Sequence, residues 1–410
     1  LIIPGCVSGF DVKGAPRITV IGAGPGGLSV ALALAQKRAS VRVFEQSAAL
    51  TEVGAGVQLS SNGGHVLRAL GLYDTLYSLS VPAQGVELYD CRSARRVGSV
   101  DLKTHAAGPE HLMVHRQDLI SVLEGACRNA GIEVVLGERL VSVTSFEPVD
   151  FCTNTGEKTA DILICADGIH SIGRSAILGN TAPFFTGQAA WRAVIPNTIN
   201  HPNTARIYMA PKKHAVSYPI RAGSLINLVF VEERASWVKE SWSEQSTGAA
   251  LRDSFREFSS VMPFMEEVQD PHIWGLFRHP VAPQWHKGSV VLMGDAAHPT
   301  LPFMAQGANL ALEDAWVLAH ALSQADSIAQ GFIDYQSRRM KRVKRIVTAA
   351  EKNAWKYHLS FPPLRWAAHR AISTLSRFAP RHMVGQFDWI YGHDVTQEGA
   401  DKQRSPTKAG

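Results

Sequence analysis

A glycine-rich turn, Val20-Ile21-Gly22-Ala23-Gly24-Pro25-Gly26-Gly27, stands near the start of the chain. A second signature, Met293-Gly294-Asp295-Ala296-Ala297-His298-Pro299, stands far downstream. In the first, Gly22 permits a tight turn, Gly24 lets the backbone approach a pyrophosphate, and Gly27 lets the next helix pack closely on the preceding strand. Pro25 and Gly26 complete that turn, and the helix it opens presents its N–H groups and dipole to the phosphates. Glu45, ending the next strand, can accept hydrogen bonds from a ribose 2′-hydroxyl, which disfavours a 2′-phosphate. In the second signature Asp295 ends a strand and can accept hydrogen bonds from ribityl hydroxyls. A helix opening near Gly307 would aim its N-terminus at the negative charge of a reduced flavin. One glycine turn alone is a weak signal. Two signatures serving one long dinucleotide read as FAD rather than NAD, and therefore as redox chemistry. The bland alternatives are a turn that binds nothing and an Asp295 that only caps a helix.

A third group of residues has acid–base potential. Lys213-His214-Ala215-Val216-Ser217-Tyr218-Pro219 reads as a strand on which His214, Val216 and Tyr218 face one side. At ~3.3 Å per residue the outer two Cα atoms lie about 13 Å apart, and inclined side chains of that size can bracket one aromatic ring. Histidine suits proton transfer because its unperturbed pKa of ~6.5 lies near working pH. The competing reading is a half-exposed sheet histidine beside a packed tyrosine.

The elements that position these residues follow from pattern. Arg17–Ile21 reads as a buried parallel strand, residues 28–38 as an Ala- and Leu-rich helix, and residues 40–44 as a second strand. Val53-Gly54-Ala55-Gly56-Val57-Gln58-Leu59 reads as a glycine-flexed strand or loop, residues 64–79 and 116–130 as helices, and 132–136, 139–146 and 161–165 as strands. From about 187 to 231 alternating runs predict an antiparallel sheet. A helical stretch (246–260), strands at 272–277 and 289–293, a helix from Gly307 to Leu322 and further helix over 332–378 complete the chain. A polar tail from about Gln397 reads as disordered.

At 410 residues the chain has room for two or three domains, and its 45% hydrophobic and 19% charged content is that of an ordinary globular protein. A net charge of +5 suits anionic small molecules and is too small to argue nucleic-acid binding. Five scattered cysteines without a CxxC pair read as reduced thiols in a cytoplasmic protein. No apolar stretch approaches the ~20 residues of a membrane span, no secretory signal is expected, and no metal-ligating pattern is read.

The arrangement resembles the single-component flavin-dependent aromatic hydroxylases, the group containing salicylate, hydroxybenzoate and hydroxynicotinate hydroxylases. Three fingerprints carry the resemblance from about Arg17 to His393: the glycine turn, Ala166-Asp167-Gly168, and Gly294-Asp295. The segment Pro302-Phe303-Met304-Ala305-Gln306-Gly307-Ala308-Asn309, followed by Leu312-Glu313-Asp314-Ala315, strengthens it. The resemblance implies cofactor contacts at Gly56, Val57, Arg116, Asp167, Gln306, Gly307, Ala308 and Asn309. Gln58 reads either as a neighbour of the flavin ring or as a surface glutamine. The family's histidine and tyrosine match His214 as base for a phenol and Tyr218 as a hydrogen-bond partner of the substrate. Arg192, in a Trp191-Arg192 pair, is a candidate for a substrate carboxylate, with an internal salt bridge as the alternative. Pro302 stands where 3-hydroxybenzoate 6-hydroxylases place a catalytic glutamine, which leaves ring orientation open. Cys165 and Ser61 replace the family's usual glycine and proline. His298 reads as ordering its turn rather than transferring protons, and the basic stretch 338–345 as a solvated helix face, with docking of NAD(P)H phosphates or anionic lipid as the minor reading. Trp355, Tyr357, Phe361 and Trp366 read as ordinary core packing, with sealing of the active site or of a dimer as the alternative.

The expected fold is α/β. It comprises a discontinuous Rossmann-type FAD-binding domain (15–80, 106–186, 280–345), an inserted antiparallel β-sheet substrate domain (81–105, 187–279), a C-terminal helical segment (346–396) and a tail (397–410). The implied activity is FAD-dependent hydroxylation of a small aromatic acid, in aromatic catabolism, with NADH or NADPH and O₂ as co-substrates and a C4a-hydroperoxyflavin as oxygen donor. A homodimer without stable membrane insertion is implied as well. The alternatives are hydroxylation of a quinone precursor or larger lipophilic substrate and, more remotely, a non-catalytic FAD-fold binding protein.

Overall fold

The computed structural model describes residues 16–50, 55–106, 108–237 and 244–398. Val53, Gly54, Cys6 and nearly all of the polar tail lie outside the described residues.

One sheet carries the dinucleotide turn. Its strands lie in the order His286–Lys287, Val290–Leu292, Ile162–Cys165, Arg17–Ile21, Ser40–Glu45, Glu133–Leu136. All neighbours are parallel except the edge strand His286–Lys287. Val20, Ile162, Leu163, Ile164, Val290 and Val291 are fully buried, as strands covered on both faces must be. Ile162–Cys165 thus unites the two distant signatures: it pairs with Arg17–Ile21 on one side and with Val290–Leu292 on the other. The first helix runs Pro25–Gln36 and starts earlier than the sequence pattern suggests, with Pro25 in the first turn where its missing N–H costs nothing. Gly22 adopts φ +102°, and a Cβ there would lie 2.5 Å from the Ala166 carbonyl oxygen. A Cβ on Gly27 would overlap the Gly22 carbonyl.

The second large sheet is ordered Glu244–Gln245, His272–Arg278, Phe184–Pro196, Leu225–Glu233, Lys213–Ile220, Thr204–Ala210, Gly85–Asp90, Arg95–Asp101. It is antiparallel apart from the pairing of Thr204–Ala210 with Gly85–Asp90. Trp191, Phe230, Phe255 and Phe258 form the core over one of its faces. A three-stranded sheet, Leu140–Phe146, Val149–Thr153 and Gly156–Ala160, extends beyond the strand anticipated over 139–146, because its second strand is only five residues long and its third is polar.

The C-terminal part is helical, with Ile328–Tyr357 continuous through residue 345, followed by Pro362–Phe378. Trp355, Phe361 and Trp366 are 62%, 65% and 65% exposed, which corrects the expectation of core packing. Trp355 and Tyr357 border the large cavity described below, whereas Phe361 and Trp366 do not. Among the described residues no helix is long and apolar enough to cross a membrane.

Candidate active site

A cavity of about 850 Å³ lies between the two large sheets and the C-terminal helices. Gly24, Pro25 and Gly26 form one wall, and Gly294, Asp295, Gly307 and Ala308 form another. Neither helix that starts here, Pro25–Gln36 or Gly307–Gln324, has a side-chain cap or an acidic residue in its first turn. Their N-terminal N–H groups and dipoles are therefore available to an anionic ligand. Gly56, Val57, Gln58 and Arg116 close this end of the cavity. Asp295 is open to the cavity yet surrounded by protein, so desolvation pushes its carboxyl up while His298 and Arg116 draw it back. Two uncapped helix ends, a glycine cradle and a carboxylate acceptor form a donor and acceptor set that fits FAD.

The Asp295 loop is fastened by a buried ionic network. Asp314 Oδ2 accepts from the Gly294 N–H at 3.0 Å and pairs with His298 Nε2 at 2.6 Å. Arg339 donates to Asp314 at 2.7 Å and also pairs with Glu313. Arg342 pairs with Glu313 at 2.7 Å, and Asn62 donates to Glu313 at 2.6 Å. Despite burial, which alone would raise them, the arginines and His298 hold both carboxyls down to about 2. The basic stretch 338–345 is thus not a plain solvated face: Arg339 is 1% exposed and serves this network, and Arg345 lies over the Trp389 ring at 3.7 Å. A signal was present in the sequence. Tyr335, Arg339, Val343 and Ile346 share one helix face, and an arginine in an apolar stripe needs a buried acid partner. His298 orders its turn, as its spacing suggested.

Several expected cofactor residues do not line the cavity with their side chains. Glu45 accepts from the Ala23 N–H at 2.7 Å and the Ser47 N–H at 2.9 Å, so it braces the glycine turn. Asp167 turns to the start of the helix Ile172–Leu178 and accepts from the Ile172 N–H at 2.8 Å, while its neighbours Ala166 and Gly168 line the wall. The Asn309 side chain donates to Gln58 and Ala305 carbonyls and accepts from the Ser60 N–H. Gln306 bonds Asn62 and Ser60. These side chains hold the walls in place; Gly22 and Gly27 act from behind the turn.

The other half of the cavity is built on the second sheet. His214, Val216 and Tyr218 all line it, as alternation along Lys213–Ile220 requires. Arg192, Trp274, Pro302 and Phe303 also line it, with the Arg192 guanidinium 4.8 Å from the Trp274 ring centre. Burial pushes the Tyr218 hydroxyl up to about 12, with Arg192 and a hydrogen bond with Gln58 opposing, so Tyr218 keeps its proton. Gln58 is thereby a cavity residue rather than a surface one. His214 is 3% exposed; its ring packs on Phe303 and Tyr357, with centroids 5.5 and 5.3 Å away. Burial, reinforced by His358, holds the His214 imidazolium well below the ordinary histidine range. His214 Nδ1 lies 2.7 Å from His358 Nε2, and His358 Nδ1 lies 3.0 Å from Glu233 Oε1. Neither His358 nor Glu233 stood out in the sequence.

A Rossmann-type sheet with a flavin-shaped cradle, abutting a β-sheet that carries a buried histidine, defines an FAD-dependent oxidoreductase fold. The family model described as "FAD binding domain" matches residues 16–350. The chain belongs to this family, and within it to the monooxygenases of aromatic substrates. A 3-amino-4-hydroxybenzoate 2-monooxygenase of Streptomyces platensis is 30% identical over 400 residues, 94% of this chain and 98% of that one. A 3-hydroxybenzoate 6-hydroxylase of Polaromonas naphthalenivorans is 31% identical over 92% of this chain and 96% of its own. Among solved structures, a salicylate hydroxylase substrate complex shares the fold with a TM-score of 0.79, at 24% identity over 97% of this chain and 100% of that one.

Proposed function

We propose that the protein hydroxylates a small aromatic acid bearing a ring hydroxyl, of the hydroxybenzoate, salicylate or hydroxypyridine carboxylate type. The observation that carries the reading is His214, a buried and uncharged imidazole lining the same cavity as the cofactor cradle. When bound, FAD reduced by NADH or NADPH supplies the activated oxygen from O₂. His214 takes the hydroxyl proton, which raises the nucleophilicity of the ring. Tyr218, held protonated, donates a hydrogen bond to the substrate. Arg192 draws in the carboxylate. Leu301, Phe303 and Trp274 keep the pocket apolar and exclude water. Pro302 offers no side-chain donor, so ring orientation rests on His214, Tyr218 and Arg192.

The test is oxidation of NADH and of NADPH by the FAD-loaded protein across a panel of hydroxylated aromatic acids, with H₂O₂ assayed alongside. A true substrate accelerates oxidation by about tenfold or more with little H₂O₂. A panel without effect overturns the reading. A second reading, a larger lipophilic or quinone-precursor substrate, draws on the apolar extension of the cavity along Leu364, Ile372 and Leu375, and long-chain phenols in the same panel test it. We also infer a cytoplasmic homodimer, supported by free thiols at Cys91, Cys127, Cys152 and Cys165 and by the exposed Trp355, Phe361 and Trp366, and checked by light scattering.

A further inference from the structure

The proposed base has a difficulty that its surroundings answer. His214 is enclosed by Phe303, Tyr357 and His358, and burial disfavours its cationic form. Burial disfavours a proton taken from a phenol resting there, and the rings packed around His214 leave it little contact with solvent. Among the described residues, the polar partner of the His214 ring is His358, with Nδ1 2.7 Å from Nε2. His358 follows the long helix Ile328–Tyr357, and its other nitrogen meets Glu233 at 3.0 Å. The Glu233 side chain is 41% exposed, whereas that of His358 is 2% exposed. The line therefore runs from the cavity wall to solvent.

We propose that His214, His358 and Glu233 form a proton relay that carries the substrate's hydroxyl proton from the cavity wall to solvent. The inference rests on the reading of His214 as the base.

The hydrogen-bond pattern fixes the starting tautomers. An ionised Glu233 only accepts, so His358 carries its proton on Nδ1 and presents a bare Nε2. His214 then donates from Nδ1 to His358 Nε2, and its own Nε2 is a bare acceptor. On deprotonation the substrate proton goes to His214 Nε2. The Nδ1 proton of His214 passes to His358 Nε2, and the Nδ1 proton of His358 passes to Glu233 and then to water. One proton leaves, no ring holds two, and the chain resets when the product oxygen is reprotonated by the reverse path. Tyr357, the other titratable group against His214, is pushed up to about 12 by burial and stays neutral. The neighbouring Glu232 is occupied by Arg234 and Ser254 rather than by either imidazole.

His358 and Glu233 are positioning and relay residues, so their test separates transport from orientation. Glu233→Gln still accepts a hydrogen bond but cannot take a proton. With 3-hydroxybenzoate and 3-amino-4-hydroxybenzoate as probes, the FAD-loaded variant should bind the acid within about twofold of the parent, read from flavin absorbance. Its coupled turnover should fall about tenfold at neutral pH and recover as pH rises through the substrate's phenol pKa. A merely structural role would lower turnover evenly across pH. A Glu233→Gln profile superimposable on the parent overturns the relay. His214→Ala run alongside keeps the two claims apart: if it too matches the parent, the base assignment fails, whereas if it alone departs, only the relay fails. Nitrogen-15 histidine NMR of the FAD-loaded protein judges the relay without any substrate. His214 protonated on Nδ1 supports it, and His214 protonated on Nε2 overturns it.

Discussion

In the proposed reaction His214 accepts the substrate's proton while Tyr218 only donates a hydrogen bond, and their substitutions should fail differently. His214→Ala removes the acceptor, and coupled turnover of a phenolic acid should drop by roughly a hundredfold or more, with FAD content unchanged. Tyr218→Phe removes one hydrogen bond worth about 1 kcal/mol, so the KM for the acid should rise about fivefold, with more H₂O₂ released per NAD(P)H. Steady-state kinetics with an H₂O₂ assay checks both. Strand alternation made this pair legible, because period 2 puts His214, Val216 and Tyr218 on one face whatever the sheet around them does. Glu233 and His358 were not legible. Glu233 ends another strand, His358 follows a distant helix, and only tertiary packing brings them to His214. Glu45 and Asp167 were legible as positions beside the cradle, whereas the backbone N–H groups that their carboxylates accept from were not.

At the scale of elements, the glycine turn and the Gly294-Asp295 loop form one cradle because Ile162–Cys165 lies between their strands. The sequence showed each half, since a strand, a turn and a helix are local events. The apolar stripe around Arg339 signalled that a buried acid must exist but not which one, because Glu313 and Asp314 meet Arg339 and Arg342 across two separate helices. Breaking a buried ionic network from one side leaves uncompensated charge. Arg339→Met should therefore destabilise the protein by about 3–5 kcal/mol and loosen FAD, read as a lowered melting temperature and flavin lost on gel filtration. Gly27→Ala should prevent FAD retention altogether, because its Cβ overlaps the Gly22 carbonyl.

The molecule as a whole carries a pH signature of the same network. Glu313 and Asp314 are held down to about 2 in the folded state, against about 4 in an unfolded chain. A depressed carboxyl stabilises the fold fully above its unfolded value and loses that contribution as pH falls toward its folded value. Stability should therefore fall steeply between about pH 4 and pH 2. The double variant Glu313→Gln with Asp314→Asn should be less stable at neutral pH yet show a flatter acid titration, followed by circular dichroism. One further consequence comes from the helix Ile328–Tyr357. Its 30 residues make a rod about 45 Å long, gripping the cofactor loop through Arg339 and Arg342 and ending in Tyr357 at the substrate wall. Such a rod acts as a ruler between the two sites: whatever shifts one end is felt at the other. Binding of the acid should then change the affinity for the flavin by a factor well away from one, measured by flavin titration with and without the acid. A break at Thr348→Pro, between the two grips, should bring that factor close to one while leaving both sites standing.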